Sequence, residues 1–171
     1  QDAKKAIESE FYFKAKKIAH QCLKVAPDYL DVHIALGRIH KNEKNIDSAR
    51  YYFQHVIDAN PKYKEAFAYL SKTELDAKNN EAALTTINKG IAIYPEDKEL
   101  YLLKLQVINN EENSKKSIEY LEFLSTKYPE DLELNNQLRE LKSSIKSNRV
   151  GTGYSFTGFS RDSYGPWHLS N

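Results

Sequence analysis

Apolar residues recur three and four positions apart along much of the chain, with polar breaks between runs. In "YLDVHIALGRIH" the apolar positions are Val32, Leu36 and Ile39. After the polar stretch "KNEKN", "IDSARYYFQHVIDA" supplies Ile46, Ala49, Phe53, Val56 and Ile57. This spacing predicts two amphipathic helices joined by a short turn. The unit then returns. Pro27, Pro61, Pro95 and Pro129 are each 34 residues apart, within "APDYLDV", "NPKYKEA", "YPEDKEL" and "YPEDLEL". An acidic residue follows each proline by four positions: Asp31, Glu65, Glu99 and Glu133. Proline ends a preceding helix and is tolerated at the start of the next, while an acid in the first turn suits the helix dipole. Each proline therefore marks a junction between helices. A fixed period of this length is the pattern of a solenoid.

These residues resemble the tetratricopeptide repeat. That family places a small residue partway along its first helix, as at Leu36-Gly37 and Leu70-Ser71. It places another in its second helix, at Ala15, Ala49, Ala83 and Ser117, with a large apolar residue four later at Phe53, Ile87 and Leu121. A larger residue at the small positions would push the helices apart. The expected fold class is all-α, a solenoid of antiparallel helix pairs, with a C-terminal β-like segment. Full repeats are expected at 30–63, 64–97 and 98–131. Residues 1–29 read as an incomplete repeat whose first helix is cut short, and 131–147 as a capping helix with a stripe of Leu132, Leu134, Leu138, Leu141 and Ile145. In the third full repeat Lys104 falls where Leu36 and Leu70 stand, so Leu105 or Leu102 is expected to take that role.

The resemblance implies a concave groove, lined mainly by first helices, that holds an extended peptide or a partner domain. The positions it implies are Ile34, Arg38, Lys41 and Asn42, then Ala68, Tyr69, Lys72 and Asp76, then Leu103, Gln106 and Asn110. Ile34 and Arg38 stand where chaperone-binding relatives carry the lysine and asparagine that clamp a C-terminal carboxylate.

Composition narrows the partners. Lysine and arginine number 25 against 24 acids, for a net charge of +1, and no block of five like charges occurs. This argues against nucleic acid or an anionic membrane surface held mainly by charge. The single cysteine, Cys22, excludes an intrachain disulfide. No apolar run reaches the roughly 20 residues of a membrane-spanning helix, and no signal peptide is read at the start.

Candidate chemistry is sparse. His20 and Cys22, two apart on a helix, point away from each other. His33 and His40 are seven apart, roughly 10 Å along a helix axis, too far for one zinc without an intervening ligand. No nucleophile, phosphate-loop or metal-spacing motif is present, so neither catalysis nor a cofactor or metal is expected.

The last segment, "NRVGTGYSFTGFSRDSYGPWHLSN", breaks the pattern. It holds four of the six glycines and the one tryptophan. From Arg149 the period becomes two: Val150, Thr152, Tyr154 and Phe156 on one side, small residues on the other. This predicts a strand of about ten residues, the length of an outer-membrane barrel strand. "SRDSYGP" reads as a turn and "WHLSN" as a second strand.

Together with "PDYLDVHIALGRIHKNEKNIDSAR", the stretch "RVGTGYSFTGFSRDSYGPWHLSN" resembles the YaiO-type outer-membrane β-barrel proteins, in which periplasmic tetratricopeptide repeats precede a barrel. The resemblance implies that 148–171 is the first strand and turn of a truncated barrel, with Tyr154, Phe156, Phe159 and Trp167 as its membrane aromatics. It implies a scaffold at the periplasmic face of the outer membrane, and by analogy a glycan export or uptake pathway. The alternative expectation is a soluble adaptor with a regulatory tail.

Overall fold

The computed structural model describes the backbone of residues 2–111 and 113–153, and the side chains of 10–111 and 113–146. Helix α1 covers Asp2–Val25. Three pairs follow: α2 (Leu30–Asn42) with α3 (Ile46–Ala59), α4 (Lys64–Asp76) with α5 (Asn80–Ile93), and α6 (Lys98–Asn110) with α7 (Ser114–Lys127). Helix α8 covers Leu132–Gly153. Each first helix of a pair has 13 residues and each second helix 14, in register with the 34-residue spacing of the prolines.

The chain divides into two compact units, Gln1–Tyr120 and Leu121–Asn171, with the boundary inside α7.

Local chemistry repeats with the same period. The second helices start on asparagine: Asn45 accepts from the Ser48 N–H, Asn79 from Ala82 and Asn113 from Lys116. Such caps satisfy an N–H that the helix itself leaves unpaired. The turns inside the first two pairs each contain a lysine in the left-handed region, Lys44 at φ 61° and Lys78 at φ 59°. The prolines lie in the turns between pairs, ahead of each first helix rather than in it. Three of the proline carbonyls accept a hydrogen bond from the side chain six residues on. His33 Nε2 reaches Pro27 O at 2.7 Å, Tyr101 Oη reaches Pro95 O at 3.0 Å, and Asn135 Nδ2 reaches Pro129 O at 2.9 Å. Phe67 occupies the equivalent position after Pro61 and has no donor.

In the first unit the core forms two clusters. One joins Ile34, Ala49, Phe53, Val56, Ala66 and Leu70 across α2, α3 and α4. The other joins Phe67, Leu75, Ala83, Ile87, Leu100 and Val107 across α4, α5 and α6. Burying each large side chain stabilises by about 1.5–3 kcal/mol. In the third pair Lys104 stands at the position of Leu36; next to it Leu105 is buried while Leu102 is exposed, so Leu105 takes the core role. In the second unit Leu124 and Leu134 are buried, and Lys142 pairs with Glu122 at 2.6 Å.

Three expectations differ from the structure. Residues 2–25 are one continuous helix of 24 residues, without the break that would divide an incomplete repeat into two helices. No glycine, proline or asparagine lies inside that stretch, so nothing in it opposes continuation. Leu132 is exposed, because two residues before Leu134 it lies on the far side of the helix. The third concerns the start of the aromatic segment: α8 runs through Gly153, so Arg149–Gly153 is helical where alternation predicts a strand. Extending a helix adds one backbone bond per residue fixed, whereas a strand needs a neighbour to pair with. No strand lies among the described residues. Tyr154, Phe156, Phe159 and Trp167 lie outside the described residues.

Candidate functional site

The site is built on one glycine. A Cβ placed on Gly37 would lie 2.5 Å from Cε1 of Phe53 and 2.8 Å from two further ring atoms. Glycine thus lets the fully buried Phe53 ring of α3 lie against the backbone of α2. Phe53 in turn stacks on Tyr69 of α4, centroids 5.4 Å apart and planes within 15°. The Arg38 guanidinium also lies over the Tyr69 ring, 5.5 Å from its centroid. A core contact is thereby relayed to an open face.

That face belongs to the first helices. One step of 34 residues aligns Asp31 with Glu65 and Glu99, Arg38 with Lys72 and Gln106, and Asn42 with Asp76 and Asn110. Ion pairs tie the helices across it. Lys41 of α2 meets Asp76 of α4 at 2.5 Å, and Lys72 of α4 meets Glu99 of α6 at 2.5 Å. Asn42 donates to Tyr12 Oη at 3.2 Å, and Asn110 donates to Asn80 Oδ1 at 3.3 Å. Gln106 is exposed. Ile34 and Leu103 turn inward, at 7% and 6% exposure, and Ala68 likewise at 7%. Of the expected groove positions, Arg38, Asn42, Asp76, Gln106 and Asn110 are exposed, and Lys41, Tyr69 and Lys72 are half-buried.

At the entrance to α4, the Tyr63 hydroxyl donates to Asp31. That bond, with burial and the carboxylate charge behind it, pushes the Tyr63 hydroxyl up to about 12. Lys64 pairs with Asp97 at 3.0 Å in the next interval, and the pair holds the lysine above its ordinary range.

Sequence reasoning missed a second polar feature. Arg50 of α3 grips Glu74 of α4 with Nε–Oε1 at 2.5 Å and Nη2–Oε2 at 3.0 Å, and it also reaches Asp47 at 2.8 Å. The Glu74 side chain is 4% exposed. This pair floors a cleft of about 440 Å³ walled by Gln54, Asn79, Thr85, Thr86 and Lys89. The two residues are 24 apart in sequence, and no local motif marks them.

His33, His40 and His55 make ring contacts. His33 is buried with its ring 4.3 Å from His55, and His40 stacks on Tyr52 at 5.5 Å and 13°. Burial lowers the His40 pKa, with Lys16 adding to the fall and Glu43 opposing it. Among the described residues, no group of three His, Cys, Asp or Glu side chains is placed to hold a metal. No described helix is long and apolar enough to cross a membrane.

Comparison with known proteins places this geometry. Residues 42–107 match the family model of the tetratricopeptide repeat. A tetratricopeptide repeat protein from Parabacteroides merdae has the same fold at a TM-score of 0.66 and 12% identity, covering 88% of this chain and 57% of that one. This chain therefore spans little more than half of that protein's length. MamA aligns at a TM-score of 0.62 and 15% identity, over 91% of this chain and 92% of its own. The first tetratricopeptide repeat domain of Spaghetti (RPAP3), solved bound to the HSP90 peptide SRMEEVD, aligns at a TM-score of 0.57 and 15% identity, over 68% of this chain and 95% of its own. No curated protein matches the sequence. The family match and these structures support a tetratricopeptide repeat domain.

Proposed function

We propose that the chain is a non-catalytic interaction scaffold that holds an extended peptide segment of a partner protein against α2, α4 and α6. One observation carries the reading. The first helices lie side by side, are fixed to each other by Lys41–Asp76 and Lys72–Glu99, and present Arg38 and Gln106 outward, with Tyr69 half-buried beside Arg38. A rigid face with adaptable polar groups suits an extended ligand, because little order is lost on binding. The related domain solved with an HSP90 peptide shows that this fold can carry a peptide. Here Ile34 and Arg38 occupy the clamp positions, and Ile34 is buried. The C-terminal carboxylate is therefore not the expected handle.

The test is selection of peptides from a displayed random library on the full chain, followed by amide shift mapping. The expected perturbations cluster on α2, α4 and α6. Perturbations confined to α3 and α5, or no selected peptide, would refute the reading.

The finer setting is a periplasmic scaffold leading into an outer-membrane barrel, within a glycan export or uptake pathway. It rests on the aromatic sequence after Gly153 and on the resemblance that this sequence carries. The soluble adaptor with a regulatory tail is the rival. Deleting residues 148–171 separates them: a tail that occupies the face predicts tighter peptide binding after deletion, and a barrel linker predicts no change.

A further inference from the structure

The period on the open face is broken at one place, and the break leaves a charge uncommitted. Lys72 and Glu99 close the gap between α4 and α6 at 2.5 Å. One repeat earlier the same positions hold Arg38 and Glu65. Among the described residues these two form no ion pair with each other or with any other group. Arg38 instead lies over the Tyr69 ring at 5.5 Å. The cause is the residue at the intervening position. Tyr69 brings an aromatic face, held flat by its stack on Phe53, where the next repeat has the buried Leu103. A guanidinium is attracted to such a face, and the contact leaves its N–H groups free to donate elsewhere.

The other cations on this face, Lys41 and Lys72, are neutralised by Asp76 and Glu99. Arg38 is exposed, oriented and without a carboxylate. Resting on the reading of this face as a peptide site, we infer that Arg38, backed by Tyr69, receives the side-chain carboxylate of an internal aspartate or glutamate of the bound peptide. The planar fork of arginine matches a carboxylate through two parallel hydrogen bonds, and the stack restricts its rotamers before the ligand arrives. The recognised group is an acidic side chain within an extended segment, not a chain end. Charge complementarity selects it: Arg38 is the position on this face where an acid gains a partner without displacing one.

The experiment uses a displayed library of random twelve-residue peptides flanked at both ends by Gly-Ser spacers, so that no terminal carboxylate is free. Selection runs in parallel on the full wild-type chain and on Arg38→Gln. The expected result is enrichment of Asp or Glu at one peptide position on wild type and loss of that preference on Arg38→Gln. A selected peptide should bind Arg38→Gln about tenfold more weakly, while changing its acid to the amide weakens wild type and leaves the variant unaffected. Arg38→Gln should melt with wild type, since the side chain is exposed and makes no ion pair. Peptides that bind without an acidic position, or that bind both proteins equally, overturn the inference and leave the peptide site standing. Failure to enrich any peptide overturns the peptide site and this inference together.

Discussion

Replacing Gly37 with alanine separates two opposing effects. Alanine in a helix interior is favoured over glycine by about 1 kcal/mol, so a glycine with space around it would become stabilised. Here the new methyl would lie 2.5 Å from Cε1 and 2.8 Å from Cδ1 and Cζ of Phe53. Ordinary carbon contacts are near 3.5–4.0 Å, so ring and methyl must separate by about 1 Å. The ring is fully buried and stacked on Tyr69, so it has no free volume to enter. Forcing a methyl into a packed core costs about 1–3 kcal/mol, and a conflict this deep belongs at the upper end. The net expectation is destabilisation of about 1–2 kcal/mol, a fall in Tm of about 3–6 °C for a chain of this length. Gly90→Ala is the internal comparison. There the nearest atom is the movable Cδ1 methyl of Leu100 at 2.9 Å, with Phe67 Cβ at 3.1 Å, and the change should be clearly milder. Combining Gly37→Ala with Phe53→Leu should cost less than the sum of the two single changes, as expected for residues that share one space. Urea denaturation followed by circular dichroism reads all four proteins. A Gly37→Ala variant that gains about 1 kcal/mol would refute the close-approach argument.

Three other outcomes are expected. Glu74→Gln should destabilise by about 2 kcal/mol in urea denaturation, less than a wholly buried pair because Arg50 stays partly solvated; a loss below about 0.5 kcal/mol would show that the pair contributes little. In spectrophotometric titration of the phenols, one of the 12 tyrosines should ionise with a pKa of about 12, and that component should vanish in Tyr63→Phe. Because the folded-state value lies above the ordinary value of about 10, the contribution is intact below pH 10 and is lost as pH rises through the folded value. His40 runs the other way. Its folded pKa is lowered, so the unfolded chain binds more protons as pH falls below about 6.5, and stability should drop there. The His40→Phe variant should show a shallower fall in urea midpoint between about pH 7 and pH 5, and an unchanged slope would count against the burial of that ring.

The helix boundaries were readable because three independent signals coincide every 34 residues: proline, the acid four later and the apolar stripe. Gly37 was readable for the same reason, through the small residue expected beside Leu36. Other features have no local signal. Ile34 and Leu103 stand at the margin of the apolar stripe, where a modest rotation of the helix decides between core and solvent. Lys44 and Lys78 adopt positive φ although lysine carries no preference for it; only their shared place in the period marks them. Arg50 and Glu74 meet across 24 residues, and a charged residue in sequence does not name its partner. At Arg149–Gly153 the alternation of side chains suggested a strand, but alternation cannot supply the second strand that pairing requires.

The ties between neighbouring pairs have a consequence for the order of the array. Each 34-residue unit repeats a helix of 13 residues and one of 14, yet the side chains that join units are not interchangeable. If residues 64–97 and 98–131 exchanged places, Arg50 would face Ile108 instead of Glu74, and Lys41 would face Asn110 instead of Asp76. Each junction thus reads its neighbour like a key cut for one lock. The sequence of the units is written in residues that do not share their period, so this solenoid is an ordered text rather than a string of equal beads.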